Sequence, residues 1–218
     1  MFVGHYGPSF VAKRLEPSVP LWVFFLAVQF LDILWAPLVL LGVEKVRIVP
    51  HFTASNALDL YYMPYTHGLP TALAWSLLVG AVYQLVARPP HRRAGVLVGL
   101  AVFSHWALDL IVHVPDLPLY GNSTKVGLGL WNARALTFGL EGALLLGGIW
   151  LYLRARTAQP RRLWAFGALL MAIQGYNTFL APPPASDRLF AVTAIIAYAA
   201  FAAGIWWLED RPVRARAA

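Results

Sequence analysis

Apolar residues run along this chain in stretches of ~20, the length a helix needs to cross ~30 Å of hydrocarbon. Reading the stretches and their breakers predicts six spans, at about 20–43, 69–87, 94–114, 133–153, 163–181 and 189–208. Pro89 and Pro90, Pro160, and Pro182 to Pro184 fall in the gaps, where a helix stops anyway. Two connections are long, 44–68 and 115–132, and the others are short basic or Pro-rich turns. The expected fold is an all-α integral membrane protein of about six transmembrane helices. A short N-terminal segment, re-entrant or amphipathic, precedes them. Residues 1–210 form a single membrane domain, and 211–218 form a short basic cytoplasmic tail.

Composition agrees. Hydrophobic residues make up 59% of the chain and charged residues 12%, about half the share usual in a soluble domain. Nine Trp and nine Tyr suit the two aromatic belts of a bilayer. The formal charge of +7 would suggest nucleic acid in a soluble protein. Here the basic residues sit in short loops between apolar runs, which is topology control, and no nucleic-acid partner is expected. There is no cysteine, so any metal must be held by His, Asp or Glu. Residues 1–18 carry no pattern of a cleavable signal peptide.

Most of the 17 basic residues fall on one side. Lys13 and Arg14, Arg88, Arg92 and Arg93, Arg154, Arg156, Arg161 and Arg162, and Arg211, Arg214 and Arg216 share it. Lys45, Arg47, Lys125, Arg134 and Arg188 are spread over the other. Both termini are therefore expected in the cytoplasm, with the long connections outside.

Ionisable groups inside a span cost about 2.5–3.5 kcal/mol each or more, so each is a functional candidate. At ~1.5 Å of rise per residue, Asp32, His105, Asp109, Glu141, Gln174 and Asn177 share a band from the midplane to the outer leaflet. His67 stands at the outer entrance of the second span. His105, Asp109 and His113 are spaced i, i+4, i+8 and so stack on one helix face. An imidazole and a carboxylate one turn apart can chelate one ion. Alone, such a pair more often makes a simple hydrogen bond; with Asp32 and His67 at similar depth, metal is the better reading. Carboxylate and imidazole without sulfur suit zinc, with manganese or iron as alternatives.

The other polar groups divide. His113 is either a ligand or an interfacial histidine meeting water, and Glu141 either a proton carrier or an interhelical hydrogen-bond partner. His91, amid arginines, reads as a cytoplasmic loop residue and His51 as a loop residue. Tyr61, Tyr62 and Tyr65 read as interfacial belt or a site mouth. Helix from His5 to Arg14 covers about 14 Å. With Lys13 and Arg14 at the surface, His5 reaches the midplane if the segment is re-entrant and covered by protein. The alternative is an amphipathic helix lying on the membrane.

The order Gly4-His5, Asp32, Tyr65-Thr66-His67-Gly68-Leu69, Ser104-His105-xxx-Asp109 resembles a bacterial inner-membrane family described as membrane-bound metal-dependent hydrolases. Its pattern is GH near the start, PDxD closing a helix, a THS-like motif, then SHxxxD. The resemblance covers roughly residues 1–120. More loosely, the order resembles the metal core of the zinc-dependent phospholipase C group, where the HxxxD carboxylate bridges metals that cleave phosphodiesters. Two departures stand out. The PDxD element is reduced to Phe30-Leu31-Asp32-Ile33-Leu34, and the THS motif ends in Gly68. The resemblance then implies either one metal where relatives hold two or a differently tuned site.

The expected activity is metal-dependent hydrolysis of a phosphoester or other bond in an amphiphilic or lipid-linked substrate, at the outer half of the bacterial inner membrane. Asp32, His67, His105 and Asp109 are the candidate ligands, joined by His5, with Glu141 or His113 carrying the proton. The metal's part would be to acidify a water and polarise the scissile group. The rivals are a transporter or cation-coupled channel using the same cluster, and a haem-binding electron carrier. No inverted repeat supports the first, and carboxylates beside the histidines fit axial haem ligation poorly.

Overall fold

The computed structural model describes residues 1–87, 93–155 and 160–209. His91 and the basic tail from 211 lie outside the described residues. The chain begins with a 3-10 turn, Val3–His5, leading into helix α1, Tyr6–Leu15. Then follow α2 Leu21–Val28, α3 Phe30–Leu40, α4 Leu69–Val86, α5 Ala94–Val112, α6 Arg134–Leu153, α7 Pro160–Phe179 and α8 Asp187–Glu209. Four of these, α4, α5, α6 and α8, are long and apolar enough to cross a membrane, and α2 with α3 makes a fifth if the bent pair is one span. α7 has the length, at 20 residues, but Gln174, Tyr176, Asn177 and Thr178 lower its apolarity.

The span expected at 20–43 is not one straight helix. It bends by 51° between α2 and α3. Pro37 lies inside α3, yet the bend sits at Gln29, where the backbone leaves the helical region at φ −107°, ψ 6°. The Gln29 side-chain amide donates to the Phe2 carbonyl at 3.1 Å. The break restarts the helix at Phe30, so that Asp32 falls in the first turn of α3.

Nor is the chain all helical. Each long connection contains an antiparallel hairpin: β1 Lys45–Ile48 with β2 Leu58–Tyr62, and β3 Leu117–Tyr120 with β4 Thr124–Val126. The Lys125 ammonium donates to the Tyr61 carbonyl at 2.6 Å, and the Ser55 N–H to the Trp131 carbonyl at 3.0 Å. These bonds tie the two hairpin regions into one cap over that end of the bundle.

Packing at α4 is the reverse of a soluble core. On α4, Leu73, Leu77, Leu78, Val82, Leu85 and Val86 point outward, while Ala72, Ser76 and Gly80 are buried. That stripe meets α5 at backbone distance: a Cβ on Gly80 would stand 2.6 Å from the Gly95 carbonyl oxygen. Small residues inside and large apolar ones outside are what helices association in lipid requires.

The N-terminal segment is buried, which excludes the amphipathic surface helix. α1 lies against α6 and α2. A Cβ on Gly7 would lie 2.3 Å from the Leu144 carbonyl oxygen, and one on Gly148 2.5 Å from that of Gly7. At the far end of α1, Lys13 is buried, donating to the Val19 carbonyl at 2.8 Å and pairing with Glu209 at 2.6 Å. α1 is thereby held as an inner element, with the Gly4-His5 end facing the middle of the bundle.

Candidate metal centre

Four elements deliver the five side chains. The bend at Gln29 aims Asp32 inward from α3, and His67 comes from the turn before α4. His105 and Asp109 sit one turn apart on α5. His5 arrives from the turn before α1, its ring stacked on His105 at 3.9 Å between centroids and 8° between planes. His5, His105 and Asp109 form one group whose ligand atoms lie within 4.8 Å of one another, and Asp32, His67 and His105 form a second. All five expected ligands therefore converge.

The spacing of the donors is informative. Asp32 Oδ1 lies 3.4 Å from His67 Nε2 and 3.5 Å from His105 Nε2. Asp109 Oδ2 lies 3.7 Å and 3.1 Å from the same two nitrogens. Donors about 2.1 Å from a tetrahedral zinc stand about 3.4 Å from each other. The four His–Asp separations thus match the edge lengths of such a site, with Asp32 and His67 on one side of His105 and Asp109 and His5 on the other. His5 Nε2 approaches the other oxygen of Asp109, Oδ1, at 3.2 Å, and the Met1 amine donates to that oxygen at 2.7 Å.

Three of the rings, on His67, His105 and His113, are turned by a partner on the far nitrogen. His105 Nδ1 is 2.7 Å from the Val28 carbonyl oxygen, which can only accept, so Nδ1 carries the proton. The Thr66 hydroxyl donates to Glu44 Oε2 at 2.7 Å and so accepts from His67 Nδ1, also at 2.7 Å. His113 Nδ1 is 2.8 Å from Asp116 Oδ1. In neutral rings all three Nε2 lone pairs then face carboxylates, an arrangement typical of metal-ligating histidines. His105 Nε2 and both His5 nitrogens are buried with no hydrogen-bond partner among the described residues. Around Glu44, burial pushes the carboxyl upward, opposed by the Thr66 hydroxyl and the His67 ring.

Glu141 and His113 differ in character. Glu141 Oε2 accepts the backbone N–H groups of Phe2 and Gly4, each at 3.0 Å, and Oε1 accepts the Gln174 amide at 3.0 Å. Its oxygens are engaged in holding the N-terminal segment to α6 and α7. His113 is buried, with Nε2 3.6 Å from Asp109 Oδ2. Trp106 is turned off the ligand face but donates to the His67 carbonyl at 2.8 Å, so it helps seat that histidine.

Sequence reasoning missed Asp116, the Glu44–Thr66 pair and Tyr198, whose hydroxyl donates to Asp32 Oδ2 at 2.6 Å. Tyr198 was detectable as a phenol in mid-span; the others become visible only when the loops fold back.

A cavity of about 940 Å³ opens onto the cluster. Asp32, His67, Asp109, His113, Glu141 and Tyr198 are on its wall, while His5 and His105 lie behind it. It extends past His51, Asn56 and Arg134 at the cap and along α7 and α8. Comparison with family models, curated proteins and solved structures finds no match.

Proposed function

We propose that this chain is a membrane-embedded, metal-dependent hydrolase acting on an amphiphilic substrate. The observation that carries the reading is the placing of His67 and His105 between Asp32 and Asp109, each Nε2 3.1–3.7 Å from an oxygen of both carboxylates and the imidazole lone pairs turned inward. Protons alone account for it less well. Asp32, Asp109 and Asp116 do not neutralise four imidazolium rings and the Met1 amine together, and the parallel His5–His105 stack disfavours charge on both.

Zinc is the best fit to two carboxylates and two imidazoles, and it would supply Lewis acidity and a more acidic water. Asp32 and Asp109 would balance the ion's charge, and His67 and His105 would orient it. His5 would complete this set or hold a second ion on the other oxygen of Asp109. His113, on the cavity wall with its Nδ1 on Asp116, is the group placed to carry a proton at Nε2. Glu141 serves better as the clamp that seats His5. The motif order shared with membrane-bound metal-dependent hydrolases and, loosely, with zinc phospholipases C supports the same reading and favours a phosphoester.

The test is turnover in nanodiscs made from a mixed bacterial lipid extract, followed by mass spectrometry. Zinc-dependent release of a water-soluble head group, abolished by chelator and by Asp109→Asn, is expected. Purified protein that carries protons across vesicles while remaining metal-free would favour the transporter instead.

The partition of basic residues supports an orientation with both termini in the cytoplasm and the hairpin cap outside, in what we read as a bacterial inner membrane. The chain has no cysteine, so single replacements report cleanly. Ser123→Cys should react with an impermeant maleimide in intact cells, and Ser18→Cys only after permeabilisation. The opposite pattern would move the site to the inner leaflet.

A further inference from the structure

α7 and α8 are consecutive, joined by residues 180–186, yet they do not pack closely together: α7 lies on α6, and α8 on α2 and α3. At the end away from the hairpins the space between them is filled. Phe166 of α7 stands over Gly204 of α8, where a Cβ would meet its ring at 3.2 Å. Toward the hairpins it is open. Ile173 and Phe179 line the cavity from α7, and Phe190, Ala194 and Ala197 line it from α8. α8 is long and apolar enough to cross a membrane, so the opening along its flank faces hydrocarbon. The α8 wall is the more apolar one, with Leu189, Phe190, Ala194 and Ala197 along it, and suits an alkyl chain, while α7 adds the polar Gln174, Asn177 and Thr178.

The same cavity carries one fixed cation at its mouth. Arg134 begins α6, where a positive charge opposes the helix dipole. Its Nε is anchored on the Ala54 carbonyl, and among the described residues its terminal nitrogens donate to nothing. A planar fork held in this way suits a phosphate.

We infer that the cavity is loaded sideways from the bilayer by a long-chain amphiphile with an anionic phosphate head. The chain lies between α7 and α8, and the head meets Arg134 within reach of the cavity that holds Asp32 and Asp109. What happens to the head rests on the hydrolase reading; entry and binding do not.

Ala197→Cys protein in phosphatidylcholine nanodiscs tests this, with dodecyl phosphate as the probe. A bilayer-soluble maleimide should label Ala197→Cys faster than a water-soluble one. Dodecyl phosphate should slow that labelling, whereas dodecanol and inorganic phosphate at equal concentration should not. Adding Arg134→Gln should raise the half-protecting concentration about tenfold or more, the weight of a hydrogen bond to a charged group. Ile173→Cys, on the opposite wall, should repeat the pattern and covers the case in which the first variant does not fold. Ile196→Cys, exposed and outside the cavity lining, should label without protection. Faster labelling from water, or no protection at either cavity position, would overturn the inference. Protection that persists in chelator, in protein that never binds metal, keeps the portal and removes the hydrolase. Bound zinc without protection does the reverse.

Discussion

Asp109→Asn protein, purified and supplied with zinc, is expected to bind the ion at least about 100-fold more weakly than wild type, the upper end of what even indirect ligand partners cost. Asp109 is the hub of the centre: its two oxygens lie within 3.7 Å of nitrogens on His5, His67, His105 and His113. Two carboxylates make a divalent site neutral, and replacing one by an amide leaves a buried uncompensated charge, the costly case. His105→Ala should lose as much, because its Nε2 belongs to both candidate groups. Ala107→Leu, on the exposed side of α5, is the control that should keep its metal. Trp106→Ala is not a neutral control, since it frees the His67 carbonyl and should weaken binding about tenfold or more. Elemental analysis of the purified proteins reads all four. Wild-type protein without stoichiometric transition metal after supplementation would remove the enzyme reading altogether.

That His/Asp cluster was legible in the sequence because its residues sit where polarity is expensive. His105 and Asp109 are four apart on a helix, and the helical period alone puts them on one face. Asp32 and His67 were found by depth, a one-dimensional measure that works when helices cross a slab. His5 was reached through Gly4, Gly7 and the surface marks Lys13 and Arg14, and Gly7 is where α1 touches α6 backbone to backbone. What depth does not encode is direction. Glu141 lies at the right level, but its oxygens turn to Phe2, Gly4 and Gln174. Asp116 and Glu44 stand outside the spans and were silent until the loops closed over them. The hairpins escaped for a related reason: strands of three to five residues lying on a bundle have too few positions for alternation to emerge. The bend at Gln29 was hidden by Pro37, which advertises a kink eight residues from where the chain makes one.

Replacing Glu141 separates a clamp from a proton carrier. In Glu141→Leu the buried N–H of Gly4 and the half-buried N–H of Phe2 lose their acceptor and Gln174 loses a partner. At about 1–3 kcal/mol for each group left unsatisfied, the loss should reach a few kcal/mol. The N-terminal segment should detach from α6, taking His5 from beside His105 and weakening metal binding. Deleting residues 1–8 should act in the same way, and more severely, because Gly7 and its contact with Gly148 go too; that deletion is therefore not a clean test of His5. His5→Ala is, since it leaves the backbone on Glu141 and removes only the ring. It should unfold close to wild type while binding metal about tenfold more weakly. Glu141→Gln keeps one acceptor oxygen and gives the decisive comparison. A clamp predicts partial loss of both thermal stability and metal. A proton carrier predicts that both are retained while turnover disappears, and that outcome would return Glu141 to the chemistry and leave the N-terminal segment to be held by its other contacts, among them Gln29 on the Phe2 carbonyl, Gly7 on α6 and Lys13 on Val19.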